Sequence, residues 1–308
     1  MNQAPLPHFT FPDNKTPILV YGADNENLRY LEKLLSIRIA VRGNHVHLDG
    51  EHSATQQAQR MLHRLCEMSQ QQPAITCDDI DQIHHNINFD SDTAVKITIT
   101  GKIIAPKSQN QQTYLKALQS HDLVFGLGPA GTGKTFLAVA HGLYLLQEAL
   151  VRRIILTRPA VEAGEHLGFL PGDMYDKIDP YLRPIHDALA DLLKAADLDA
   201  KRQTGVIEIA PLAYMRGRTL KDAFILVDEA QNTTRQQMQM VLTRLGGNSR
   251  MVVTGDLSQV DLNTPEESGL HDAVERLAGI DDIAIHHFLA QDIMRHRLVQ
   301  KIVQAYQQ

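Results

Sequence analysis

Cysteine is nearly missing from this sequence: there are two in 308 residues, Cys66 and Cys77, with no repeated ligand spacing around them. That excludes a disulfide framework and a zinc site, and suits a reducing compartment. Long apolar runs are also missing, with nothing near the roughly 18 uninterrupted apolar residues of a spanning helix. The opening stretch MNQAPLPHFTFPDN has neither the basic nor the apolar part of a secretory signal. A cytoplasmic location without membrane insertion is therefore expected. There is no positive excess either: a net charge of −6 does not suit a protein wrapped in nucleic acid, and leaves only local basic strips such as Arg295-His296-Arg297. The 15 histidines are scattered or paired, as in His84-His85 and His286-His287, and form no metal-ligand pattern. Internal repeats and low-complexity tracts are absent.

What is present is ordinary globular material, 43% hydrophobic and 21% charged. The length suits one α/β domain of about 200 residues beside a smaller one of about 100. In the smaller part, Pro17-Ile18-Leu19-Val20-Tyr21 reads as a strand, and Leu28, Leu31, Leu34 and Leu35 give 25–37 the spacing of an amphipathic helix. Arg38–Val41 and His45–Leu48 flank Arg42-Gly43-Asn44, a hairpin turn, because Gly and Asn tolerate positive φ. A second helix over about 53–68 completes a β-α-β-β-α unit over residues 1–70. That order resembles small RNA-binding modules of the KH type, whose glycine clamp would fall on Gly22-Ala23-Asp24-Asn25. One glycine of the clamp is missing there, and a docking or oligomerisation module is the other reading. Residues 71–110 read as a linker with short strands, among them Val95–Ile99.

From 111 to 308 strands and helices alternate. The runs Leu123–Phe125, Ile154–Thr157, Phe224–Val227 and Met251–Thr254 are short, apolar and separated by amphipathic stretches. This is how a doubly wound parallel sheet, covered on both faces by helices, is written. Val161–Ile185, with its Gly and Pro residues, reads as loops at the carboxyl edge of that sheet.

Gly128-Pro129-Ala130-Gly131-Thr132-Gly133-Lys134-Thr135 follows one such strand, precedes a helical pattern over 136–146, and fits G-x-x-x-x-G-K-[ST] without departure. Glycines let backbone N–H groups curl around phosphate oxygens, the following helix N-terminus adds positive potential, and Lys134 reaches the β- and γ-phosphates. The Thr135 hydroxyl is expected on Mg²⁺. Downstream, Phe224–Val227 runs into Asp228-Glu229-Ala230-Gln231, an apolar strand ending in two carboxylates. Asp228 is expected to hold Mg²⁺, and Glu229 to polarise the attacking water. A third strand runs into Gly255-Asp256-Leu257-Ser258-Gln259, where a polar side chain senses the γ-phosphate.

These three segments, in this order, resemble the PhoH-like ATPases, relatives of the superfamily one helicases. Leu167-Gly168-Phe169-Leu170-Pro171-Gly172-Asp173 is similar to that family's insert. The resemblance covers 105–308 and implies a P-loop NTPase fold of the RecA-like kind. It implies that Gln112 reads adenine, with Gln111 as the alternative, and that Gln259 is the γ-phosphate sensor beside Asp256. It also implies a homo-oligomeric ring, a hexamer, because a single core offers no arginine from across the nucleotide. Arg295 or Arg297 would serve a neighbouring copy in that role; the solvated basic face of a helix is the other reading of that segment.

The function expected is Mg-dependent ATP binding and hydrolysis, acting on RNA or RNA-processing machinery, the RNA being implied by resemblance alone. The alternatives are an ATP-bound scaffold without turnover and a small-molecule kinase, against which Glu229 argues. No acidic cluster suited to two metals occurs in the first hundred or so residues, so nuclease activity is not expected.

Overall fold

Asp13 starts the first helix of the chain, in a segment expected to be a strand. In the computed structural model, which describes residues 7–13, 15–70, 74–85, 87, 94–159, 174–261 and 268–294, Thr16–Tyr21 is helix α1. The Asp13 carboxylate accepts from the N–H groups of Lys15 and Thr16, both at 2.7 Å, and from the Thr16 hydroxyl at 3.0 Å. It thus satisfies donors that a first helical turn leaves without partners. Pro17 sits where a helix tolerates it, and Thr16, Pro17, Val20 and Tyr21 are the buried face.

The chain divides into two compact units, Met1–Asp90 and Ser91–Gln308. The first contains strand β1 (His8–Thr10), α1, α2 (Glu26–Leu35), β2 (Arg38–Arg42), β3 (His45–Asp49), α3 (His52–Ser69) and α4 (Cys77–His85). Its three strands form an antiparallel sheet in the order β1-β3-β2, with Gly43 at φ +64° in the expected hairpin turn. Val46, Leu48, Leu31, Leu62 and Leu65 make the core. The stretch read as linker supplies α4, and its Ile75, Ile80 and Ile83 are buried in that same core.

The second unit opens with a hairpin, β4 (Ile97–Ile99) and β5 (Lys102–Ile104). There follow α5 (Gln109–Ser120), β6 (Leu123–Leu127), α6 (Lys134–Gln147), β7 (Arg153–Arg158), α7 (Met174–Leu192) and α8 (Ala195–Gln203). The chain continues through β8 (Ile207–Pro211), β9 (Ala223–Val227), α9 (Arg235–Leu242), β10 (Arg250–Gly255), α10 (Gly269–Leu277) and β11 (Ile283–His287). Six of these strands form one sheet in the order β11-β6-β10-β9-β7-β8, and every pairing is parallel. The pleat sends Val124, Phe224, Leu226 and Val252 towards a core shared with α5 to α8. Phe125, Ile225, Val227 and Val253 go to the opposite core with α9 and α10. The sheet is therefore doubly wound, and all its carboxyl ends lie on one edge, where ligands of such sheets bind.

The expectation of loops over Val161–Ile185 is corrected from Met174 onward, where α7 runs through Pro180 and Pro184 to Leu192. Leu182, Ile185, Leu189 and Leu192 are buried at helical spacing, and this packing prevails over the two prolines. The family-type insert Leu167–Asp173 lies outside the described residues.

Candidate nucleotide site

The loop 128–135 joins the end of β6 to the start of α6, so the first turn of that helix faces the space the loop encloses. Gly128, Gly131 and Gly133 have φ of +135°, +87° and +85°, values that side-chain-bearing residues rarely adopt. At Gly128 there is no space for a β-carbon either, because one would press into the Phe288 carbonyl. Lys134 Nζ donates to the Pro129 carbonyl at 3.1 Å, and the Thr132 hydroxyl donates to the same oxygen at 3.0 Å. The lysine thus lies folded over the loop whose phosphate it is expected to reach. Ala130 completes the loop, and the Gly131 carbonyl accepts from the Met294 N–H at 2.9 Å.

β10 lies between the loop strand β6 and β9, with Gly255 paired to Leu127 and Val253 to Val227. This register brings three strand ends together. The Asp228 Oδ1 atom accepts from the Thr135 hydroxyl at 2.8 Å and from the Thr254 hydroxyl at 2.6 Å. Sequence reasoning paired Thr135 with Asp228 but missed Thr254. A hydroxyl and a carboxylate are hard oxygen donors, the set that suits Mg²⁺ with its remaining positions left to water and phosphate.

Glu229 has left-handed backbone, φ +51°, and its two carboxylate oxygens are held separately. Oε1 lies 3.4 Å from Arg158 Nη2 at the end of β7, and Oε2 accepts from the Gln231 amide at 2.6 Å. Neither Arg158 nor the Gln231 side chain was singled out from the sequence. The signal for Arg158 was its place just past an apolar strand, and for Gln231 its place two residues after Glu229. Asp256 is buried and accepts from the Ser258 N–H and hydroxyl, at 3.0 and 2.7 Å, while Gln259 is exposed on the same turn.

Of the two glutamines ahead of the loop, Gln111 is the one bonded to it. Its amide nitrogen donates to the Thr132 carbonyl at 2.9 Å and its amide oxygen accepts from the Lys107 N–H at 2.7 Å. Gln112 is half-buried, and its amide oxygen is enclosed without a hydrogen-bond partner. The difference arises from the Ser108 cap, whose hydroxyl accepts from the Gln111 N–H at 3.1 Å and so fixes which residue of the first turn faces the loop. One turn further, Tyr114 is fully buried, its ring 5.4 Å from His286 and 5.1 Å from Phe288, centroid to centroid. Burial, with the negative charge of Asp228 adding to it, pushes the Tyr114 phenol far above its ordinary range. Burial also lowers His286. Arg295 and Arg297 lie outside the described residues.

A glycine loop between a strand and a helix, facing a carboxylate at the end of a second parallel strand, defines the P-loop NTPase fold in its RecA-like form. The family model for PhoH-like protein matches residues 103–307. The chain belongs to the PhoH-like protein family. A PhoH-like protein of Mycobacterium tuberculosis (strain ATCC 25618 / H37Rv) is 49% identical over 295 residues, 92% of this chain and 83% of that protein. A PhoH-like protein of Bacillus subtilis (strain 168) is 46% identical over 298 residues, 93% and 92% of the two chains. Protein PhoH of Escherichia coli (strain K12) is 44% identical over 209 residues, 67% of this chain and 59% of that one. Among solved structures, the Pyrococcus furiosus Hef helicase domain gives a TM-score of 0.37 at 14% identity, over 59% of this chain and 38% of that one, too distant to add to the fold.

Proposed function

We propose that this protein binds Mg-ATP at 128–135 and hydrolyses it, acting as an ATPase on RNA or RNA-processing machinery. The reading rests on one observation above the others: Asp228 bonded to Thr135 across two strands, with Glu229 one residue further on. Mg²⁺, when bound, would be held by Thr135 and Asp228 and would neutralise charge on the β- and γ-oxygens. Lys134 would leave the Pro129 carbonyl for the phosphates. Glu229 would orient the attacking water, and Gln259 would meet the γ-phosphate from the 256–259 turn. Gln111, with Gln112 beside it, would close the adenine side.

RNA as the partner is supported by the family reading and by the KH-like order of strands and helices in the first unit. A ring of copies, with Arg295 or Arg297 reaching a neighbour's nucleotide, follows from the family reading, and a cytoplasmic location from the two cysteines and the absence of a secretory pattern at the start of the sequence.

The test is phosphate release from Mg-ATP by wild type and Glu229→Gln, with and without single-stranded RNA. Wild type is expected to turn over and Glu229→Gln to lose about 10²- to 10⁴-fold, the usual contribution of a general base. Release without any acceptor excludes a kinase. Wild-type protein that binds nucleotide but releases no phosphate under any of these conditions would instead be an ATP-bound scaffold.

A further inference from the structure

Gln231 belongs to none of the groups that would touch ATP, yet it is 1% exposed and in contact with two of the segments that would. Its amide nitrogen donates to Glu229 Oε2 at 2.6 Å, and its amide oxygen accepts from the Asp256 N–H at 3.1 Å. The orientation has no alternative: a flipped amide would set NH₂ against N–H at Asp256 and oxygen against carboxylate at Glu229. The backbone on either side is fixed as well. The Gln231 carbonyl accepts from the Ser268 hydroxyl at 2.9 Å, and a β-carbon on Gly255 would lie 2.8 Å from Gln231 Oε1.

Asp256 heads a short, internally bonded turn. Ser258 binds its carboxylate through N–H and hydroxyl, and the Gln259 N–H donates to its carbonyl at 3.1 Å. A displacement of Gln259 is therefore carried back to the Asp256 N–H, and from there through one amide to Glu229. On the far side, Arg158 holds the other carboxylate oxygen at 3.4 Å. The glutamine amide both donates to the carboxylate and accepts from the backbone N–H, and asparagine, with the same groups on a stem one methylene shorter, would not span the two. Glutamate keeps the acceptor and loses the donor, and leucine has neither.

We propose that Gln231 is a positioning residue for ATP hydrolysis, tying the water-orienting carboxylate of Glu229 to the turn that carries Gln259. This rests on the hydrolytic reading given above. Gln231 touches neither nucleotide nor water; it sets where Glu229 stands and makes that placement depend on the 256–259 turn.

The experiment uses the full-length chain as wild type, Gln231→Glu, Gln231→Leu, Glu229→Gln and the Glu229→Gln/Gln231→Glu double variant. Steady-state phosphate release, affinity for a fluorescent ATP analogue and the melting midpoint are measured for each. Both Gln231 variants are expected to lose about 10²-fold in kcat, the usual effect of a small misplacement of a reacting group. Nucleotide affinity should stay within about twofold, since the loop that binds phosphate is untouched. The double variant should be no slower than Glu229→Gln alone, because Gln231 acts only through that carboxylate. Wild-type kcat in Gln231→Glu and Gln231→Leu overturns the proposal while leaving the ATPase reading intact. So does a loss that adds to that of Glu229→Gln, or one that falls in step with affinity and melting midpoint. Wild type that binds the analogue and releases no phosphate removes the hydrolytic reading and this proposal together.

Discussion

Single residues carry two separate kinds of constraint here, one at the phosphate loop and one in the helix that follows it. Gly128 combines φ +135° with a Phe288 carbonyl where a β-carbon would be. Gly128→Ala is expected to cost about 1–3 kcal/mol in the loop conformation and to abolish nucleotide binding in a fluorescence titration; unchanged affinity would show that the loop relaxes. His141 is the second case. It is buried in α6, its ring packed against Phe224 and Tyr144. Burial, helped by the nearby Arg250 charge, lowers it from 6.5 to about 4. The unfolded chain takes up this proton near pH 6.5 while the folded one does not until about pH 4. Stability is therefore fully present above the upper value and declines as pH falls through the window, by about 3 kcal/mol in all. Urea unfolding of wild type and His141→Leu between those limits checks it, the variant having the shallower slope. At this scale the meeting of Thr135 with Asp228 was legible because the glycine-loop pattern and the strand ending in two carboxylates have fixed spacings that a parallel sheet brings to one edge. The choice between Gln111 and Gln112 was not, because it depends on where Ser108 caps α5.

Elements went astray where a short apolar run fits two periods. Pro17–Tyr21 is too brief for periodicity to separate strand from helix. The deciding signal, Asp13 three residues ahead of Thr16 with Pro17 next, was in the sequence as a start signal. Ile18, 71% exposed, is what the strand reading would have buried and the helix leaves outside. In α7 the error ran the other way, with prolines read as breakers where the apolar face prevailed. Helix α6 was legible throughout, and its contact with the sheet is close: a β-carbon on Gly142 would run into the Phe224 ring. Gly142→Ala, which raises helix propensity in isolation, is expected here to destabilise by about 1–3 kcal/mol through overpacking; a higher melting midpoint would contradict that. Helix α9 starts at a capping box in which Thr234 and Gln237 bind each other's backbone N–H, at 3.3 and 2.9 Å. Thr234→Ala should lower unfolding free energy by about 1 kcal/mol in urea titration, with no change of slope.

At the scale of the whole chain, alternation of strand and helix was enough to name a doubly wound sheet, but not to place β10 between β6 and β9, since strand order is a tertiary choice. The division after Asp90 falls inside the 71–110 stretch read as linker, while the Ile75, Ile80 and Ile83 contacts that join the first part of that stretch to the first core become visible only in three dimensions. Each unit has its own core, so residues 91–308 alone are expected to unfold in one cooperative transition and to keep affinity for the fluorescent ATP analogue. In sedimentation the full chain is expected as a multiple of 34.4 kDa, the ring reading failing if only the single chain is seen. The sequence has no tryptophan and eight tyrosines, so its emission on excitation in the tyrosine band, where phenylalanine does not absorb, comes from tyrosine alone. One of those emitters, Tyr114, is sealed from water beneath the loop, one turn of helix from Gln111. The molecule thus contains its own lamp at the site of interest. Filling the loop should alter that light without any label, and an alkaline titration of the native protein should leave Tyr114 dark to hydroxide until the fold gives way.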